Sequence, residues 1–141
     1  MAPRAHGSQQ NVDYQQKYSG SNLAKILDGD AQLLVKTAEK IARNELLRGS
    51  AKVSTSQIRN IFGTVKKLEM KSSEDPIPEL VLLKPKLAYV AGRHDKIDGL
   101  KCLRDVLSRA IDLVAEKKER FPNFCKFFEA ILAYHKAEGG N

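Results

Sequence analysis

The chain is 141 residues long, 42% hydrophobic and 29% charged, with a formal net charge of +7 and an isoelectric point near 9.5. That length is one domain's worth, and that apolar share builds one modest core. No apolar run approaches the ~20 residues of a membrane span, and the basic excess points to a polyanionic partner, nucleic acid before a membrane surface.

The charge is concentrated. Residues 31–73 hold nine Lys/Arg against three Asp/Glu, whereas residues 1–30 balance at three and three. Residues 1–22 are rich in Gln, Ser and Gly and poor in apolar side chains. They bury too little to offset their ordering entropy and are expected to form a disordered tail. A single helical-bundle domain is expected over residues 23–141. No charged n-region with an apolar h-region opens the sequence. The two cysteines, Cys102 and Cys125, sit in apolar helical patterns without a C-x-x-C spacing. A reducing compartment, the cytoplasm, is expected.

From there the apolar periodicity is helical throughout. Leu34, Ala38, Ile41 and Ala42 predict a helix from about Asp30 to Leu47, with Gly49 as its C-terminal cap. Ser54 and Gln57 form a capping box that opens a second helix. Its apolar stripe is Ile58, Ile61, Phe62, Val65 and Leu68, with Arg59, Lys66 and Lys67 off the stripe and Gly63 between them. A third helix is predicted from Pro78 to Gly92–His94, kinked at Pro85. A fourth carries Leu100, Leu103, Leu107, Ala110 and Val114, with Asp98 as its cap. A fifth follows Arg120-Phe121-Pro122; it is apolar nearly all round and is expected at the centre of the bundle or in an interface. The expected architecture is all-α, a compact bundle of about five helices.

The third helix places Lys86 and Arg93 on one flank, two turns or about 10.5 Å apart, with Tyr89 beside them. Two cations and a phenol in that arrangement suit a nucleic-acid strand: Arg and Lys for phosphates, Tyr for a base or a phosphate. A solvated helix face would show the same pattern. Candidate metal ligands reduce to His94, His135, Cys102 and Cys125, without ligand spacing. There is no phosphate-binding glycine loop and no G-x-S-x-G. Glu129, inside the apolar fifth helix, could be a buried acid; pairing with a Lys or Arg of another helix, or capping a helix start, is the favoured reading. Neither a metal nor a cofactor is expected, and catalysis is the least favoured function.

Three stretches taken together resemble a known family: S-T-S-Q-I-R-N-I-F-G-T-V-K-K-L-E (54–69), L-L-K-P-K-L-A-Y-V-A-G-R-H (82–94) and F-C-K-F-F-E-A-I-L-A-Y-H-K (124–136). Their order and spacing resemble the small subunit of the type III-A CRISPR interference complex, the Csm complex, over roughly residues 50–138. The resemblance implies a non-catalytic helical subunit in antiviral defence. Several copies would line up beside a filament of backbone subunits and help hold the duplex of guide RNA and target RNA. Cutting would belong to the backbone subunit and signalling to the large subunit. The implied partners are therefore guide and target RNA, the backbone and large subunits, and other copies of itself. By motif position the resemblance places RNA contacts at Arg59, Lys86 and Arg93, with Tyr89 beside them; Lys66 and Lys67 join them on local charge. Two other functions stay open from the residues alone. One is a DNA-binding protein reading bases with Gln57, Arg59 and Asn60; the other is an adaptor that binds a protein through its last helix.

Overall fold

The computed structural model describes residues 13–71 and 74–140. Helices α1 (Tyr14–Lys17), α2 (Gly20–Leu27) and α3 (Ala31–Ile41) come first, and α3 runs on as a wide π-helical turn, Ala42–Leu46. Then follow α4 (Thr55–Met70), α5 (Ile77–Val81), α6 (Leu83–Arg93), α7 (Asp98–Glu116) and α8 (Phe121–Ala137). No strand occurs among the described residues, so the all-α expectation holds. The helix number does not: among the described residues seven α-helices have five residues or more, and α1 adds a single turn. The two additional helices are α2 and the one gained where the predicted third helix divides.

Helix α8 lies at the centre, packed against α2, α3 and α4 and joined to the end of α7. Phe124, Phe127, Phe128 and Ile131 have no exposed surface, and Phe62 of α4 meets Phe128 edge-on at 5.2 Å between ring centroids. The capping box at α4 is formed from both sides: Gln57 N–H donates to Ser54 Oγ at 3.1 Å, and Ser54 N–H donates to Gln57 Oε1 at 2.9 Å. Cys102 and Cys125 are buried free thiols, and burial pushes the Cys125 thiol up to about 12.

The segment expected as a disordered tail over 1–22 is helical from Tyr14; residues 1–12 lie outside the described residues. Tyr14 and Tyr18, one helical turn apart, are both buried. Asp13 caps α1 through Gln16 N–H (3.1 Å), and Ser19 caps α2 through Asn22 N–H (3.2 Å). The Tyr18 hydroxyl donates to Glu45 Oε2 at 2.6 Å, and Lys17 Nζ reaches the same oxygen at 2.6 Å. Two tyrosines and three aliphatic residues, Leu23, Ile26 and Leu27, thus supply burial that a count of apolar residues underrates. The far end is clamped by Arg120, whose guanidinium holds Asp28 with bonds of 2.9 and 3.2 Å and also donates to the Leu113 carbonyl at 3.0 Å.

The predicted third helix breaks at Leu82 instead of bending. Pro85 has no N–H for the Val81 carbonyl, and its ring would crowd that oxygen. The chain restarts at Leu83, which leaves Pro85 in a first turn where the missing N–H has no helical partner to lose. Asp98 is also corrected: it is the first residue of α7, with no side-chain capping bond, and it pairs with Lys101 at 3.7 Å.

Gly99 is where α7 crosses the π-helical turn. A Cβ there would stand 2.7 Å from Val53 Cγ2 and 2.9 Å from both the Glu45 carbonyl oxygen and Leu46 Cα. Backbone on two sides cannot give way, so Gly99→Ala is expected to destabilise the chain by about 1–3 kcal/mol in denaturant unfolding. The Arg120 clamp gives a pH signature. Its hydrogen bond and charge hold the Asp28 carboxyl below the ordinary carboxylate value. A depressed acid contributes stability above its unfolded pKa of about 4 and loses it as pH falls through the lowered folded value. Thermal melts should show wild type losing more between about pH 6 and about pH 2.5 than Asp28→Asn does.

Candidate nucleic-acid interface

The six residues singled out from the sequence fall on α4 and α6, which pack against each other. Across this contact Lys86 of α6 reaches Thr64 and Asn60 of α4.

On α4 the buried residues Ile58, Ile61, Val65 and Leu68 fix the inner face. Helical periodicity then aligns Arg59, Gly63 and Lys67 on the outer face, four residues apart. Arg59 and Lys67 are exposed, have no ion-pair partner among the described residues, and stand about 12 Å apart along the axis. A Cβ at Gly63 would meet nothing within 4 Å. Gly63 therefore serves no helix–helix contact among the described residues and leaves bare backbone between the two cations. Lys66 departs from this line. It is rotated to one side and pairs with Glu69 at 3.2 Å, and that partner raises its pKa.

On α6, Leu83, Leu87 and Ala91 are buried, which turns Lys86 and Arg93 to the flank that borders α4 and leaves Tyr89 64% exposed. Lys86 is half-buried. Its ammonium donates to Thr64 Oγ1 at 3.1 Å and to the Asn60 carbonyl at 3.3 Å. An ammonium has three N–H donors, so one remains for an outside acceptor. The tether fixes the charge beside the Arg59–Gly63–Lys67 line. Arg93, exposed and without an ion-pair partner among the described residues, extends the same flank two turns further.

Five of the six residues thus share one face. Arg59, Lys67 and Arg93 are free cations, Lys86 is an oriented one, and Tyr89 is an open aromatic. Sequence periodicity found the flank but missed the tether, because nothing in either helix alone reveals that Lys86 crosses to Asn60. Glu129 is exposed, not a buried acid. Among the described residues the buried acid is Glu45, 3% exposed, with Oε1 lacking a hydrogen-bond partner. Its position continues the stripe of Leu34, Ala38 and Ile41, and that spacing was the available signal.

The profile of the Csm2 Type III-A family matches residues 28–141. This chain belongs to that family. It is 32% identical over 94 residues to the CRISPR system Cms protein Csm2 of Enterococcus italicus, covering 60% of this chain and 66% of that one. It is 31% identical over 101 residues to the protein of the same name from Streptococcus thermophilus, covering 66% and 78%. The chain spans about two thirds of the length of the first relative. No solved structure matches it. The match begins at Asp28, so α1 and α2 precede the residues this Csm2 family member shares with the profile. No helix among the described residues is long and apolar enough to cross a membrane.

Gly63 in the middle of α4 has no structural reason to be glycine, since its backbone is helical and its surroundings are empty. Gly63→Ala is therefore expected to stabilise the isolated chain by up to about 1 kcal/mol, read as a higher midpoint in urea unfolding.

Proposed function

We propose that this chain is a non-catalytic small subunit of a type III-A CRISPR RNA-guided complex, and that its α4–α6 face holds the phosphate backbone of guide and target RNA. Membership of the Csm2 family supports the assembly. The single observation that supports the RNA contact is the line Arg59–Gly63–Lys67 with Lys86 oriented beside it and Arg93 beyond. Cations at regular helical spacing around open backbone suit a strand of phosphates. Base identity in such a complex is read by guide–target pairing, so the protein needs only charge and shape. A few cations bind weakly in one copy. Copies in a row, beside the backbone and large subunits, raise that affinity through effective concentration. The cytoplasm is the setting in which such a complex would meet RNA.

Arg59 and Arg93 make the cleaner test than Lys86, whose substitution would also break its bonds to α4. In a reconstituted guide-RNA complex, Arg59→Glu/Arg93→Glu is expected to weaken target-RNA binding. The plot of log affinity against log salt should become shallower by about 0.7–0.9 per lost phosphate contact. Unchanged circular dichroism and unchanged incorporation into the complex would assign the loss to RNA contact. Full binding with an unchanged salt slope would leave the face as solvated surface and move the subunit's role to protein packing. Preference of the free chain for a particular duplex DNA sequence would favour the DNA-binding alternative.

A further inference from the structure

Away from α4 and α6, helices α1, α2 and α3 surround a cavity of about 150 Å³. Its polar lining is Lys17, Asn22, Lys36, Thr37 and Lys40, with the buried ring of Tyr18 among them. Lys40 Nζ lies 5.5 Å from the Tyr18 ring centroid and Lys17 Nζ 5.9 Å. Among the described residues, no carboxylate lines the cavity. Lys17 is answered by the buried Glu45 at 2.6 Å. Lys36 and Lys40 have no ion-pair partner among the described residues. Lys36 also borders two neighbouring depressions that contain Asp30 and Glu39. Those acids are occupied: Asp30 accepts Leu33 N–H at 3.0 Å as the cap of α3, and Glu39 meets Arg43 at 3.4 Å.

Three ammonium groups less the one carboxylate of Glu45 leave two positive charges around the cavity. We propose that this cavity binds a phosphate dianion, either inorganic phosphate or the terminal monoester of a nucleotide or RNA strand. Lysines act as point charges that accept a tetrahedral anion in several orientations, and the Thr37 hydroxyl and Asn22 amide add neutral donors. The Tyr18 ring is only 4% exposed and offers no face for a base to stack on. Leu23 and Leu33 line the rest of the cavity, so the charged recognition it offers is of the phosphate, through the lysines. Glu45 takes both the Tyr18 hydroxyl and Lys17 into one buried contact, which sets Lys17 at the cavity edge. Lys17, Tyr18 and Asn22 precede the residues matched by the Csm2 profile, so the site depends on the N-terminal helices of this chain. It shares no residue with the α4–α6 face.

The test is titration of the full chain with inorganic phosphate, followed by calorimetry and phosphorus NMR, in wild type and Lys36→Gln/Lys40→Gln. Neither lysine has an ion-pair partner among the described residues, so without phosphate the variant should melt within a few degrees of wild type, the difference being the loss of the Lys40 contact with the Tyr18 ring. Saturable binding in wild type, weakened at least roughly tenfold in the variant, is the expected result. Competition identifies the source. Displacement by a short 5′-phosphorylated oligoribonucleotide but not by its 5′-hydroxyl counterpart assigns the site to an RNA end. Displacement by a nucleoside monophosphate alone assigns it to small phosphates. Absence of saturable phosphate binding, equal binding in the variant, or equal competition by the 5′-hydroxyl oligonucleotide would overturn the proposal.

Discussion

Helices α7 and α8 form the buried centre: α1, α5 and α6 pack on α7, α3 and α4 on α8, and α2 on both. The four phenylalanines of α8 and Ile131 leave only a narrow strip to water, formed mainly by Lys126, Glu129, Ala133 and Lys136. An α-helix buried this completely needs neighbours around most of its circumference. Helices α3 and α4 supply two, and α2 and the end of α7 complete the enclosure. Burial of one large apolar side chain is worth about 1.5–3 kcal/mol, so the aromatic row of α8 outweighs any single polar contact on the surface. Once α4 is committed to α8 by Ile58, Ile61, Val65 and Leu68, its charged residues can only point outward. The cationic face is to that extent a consequence of the core.

The same logic explains which parts of the fold were legible in the sequence. The long helices announce themselves by apolar spacing, and Ser54 and Gln57 mark a boundary through a purely local pair of hydrogen bonds. Where the deciding partner is distant, the sequence is silent. The segment from Asp13 to Gly20 looks too polar to fold, yet it is anchored by Tyr18 reaching Glu45, 27 residues away. Pro85 was visible as a disturbance, but whether a proline bends a helix or divides it depends on what the following turn can bury. Leu83 and Leu87 are both buried, so restarting the helix lost nothing.

The candidate interface was legible to a similar depth. Cations off an apolar stripe can be named from a helical wheel, and Arg59, Lys67 and Arg93 are found as the wheel places them. The wheel cannot say which cations are already engaged. Lys66 is held by Glu69 within its own helix, a three-residue spacing that could have been noticed. Lys86 is held by α4, which only tertiary packing reveals. The distinction matters physically. A free lysine must lose rotamer freedom to hold a phosphate, whereas Lys86 has already lost much of it on folding.

That difference bears on how a small helical subunit can be useful to RNA at all. Arg59, Lys67 and Arg93 are exposed and without ion-pair partners among the described residues, so each would add charge but little geometry. Lys86 adds geometry, because two of its donors are fixed on α4 and the third faces out. Gly63 adds proximity, since bare backbone lets a strand approach closer than any side chain would permit. On the proposed RNA-binding reading, one oriented charge, three adaptable ones and a bare stretch of helix would match the regular spacing of a phosphate backbone without preferring any sequence. Such contacts are individually weak and strongly screened by salt. On that reading they become effective when the same face is repeated along a duplex; α8 supports α4 in that face, and α7 supports α6.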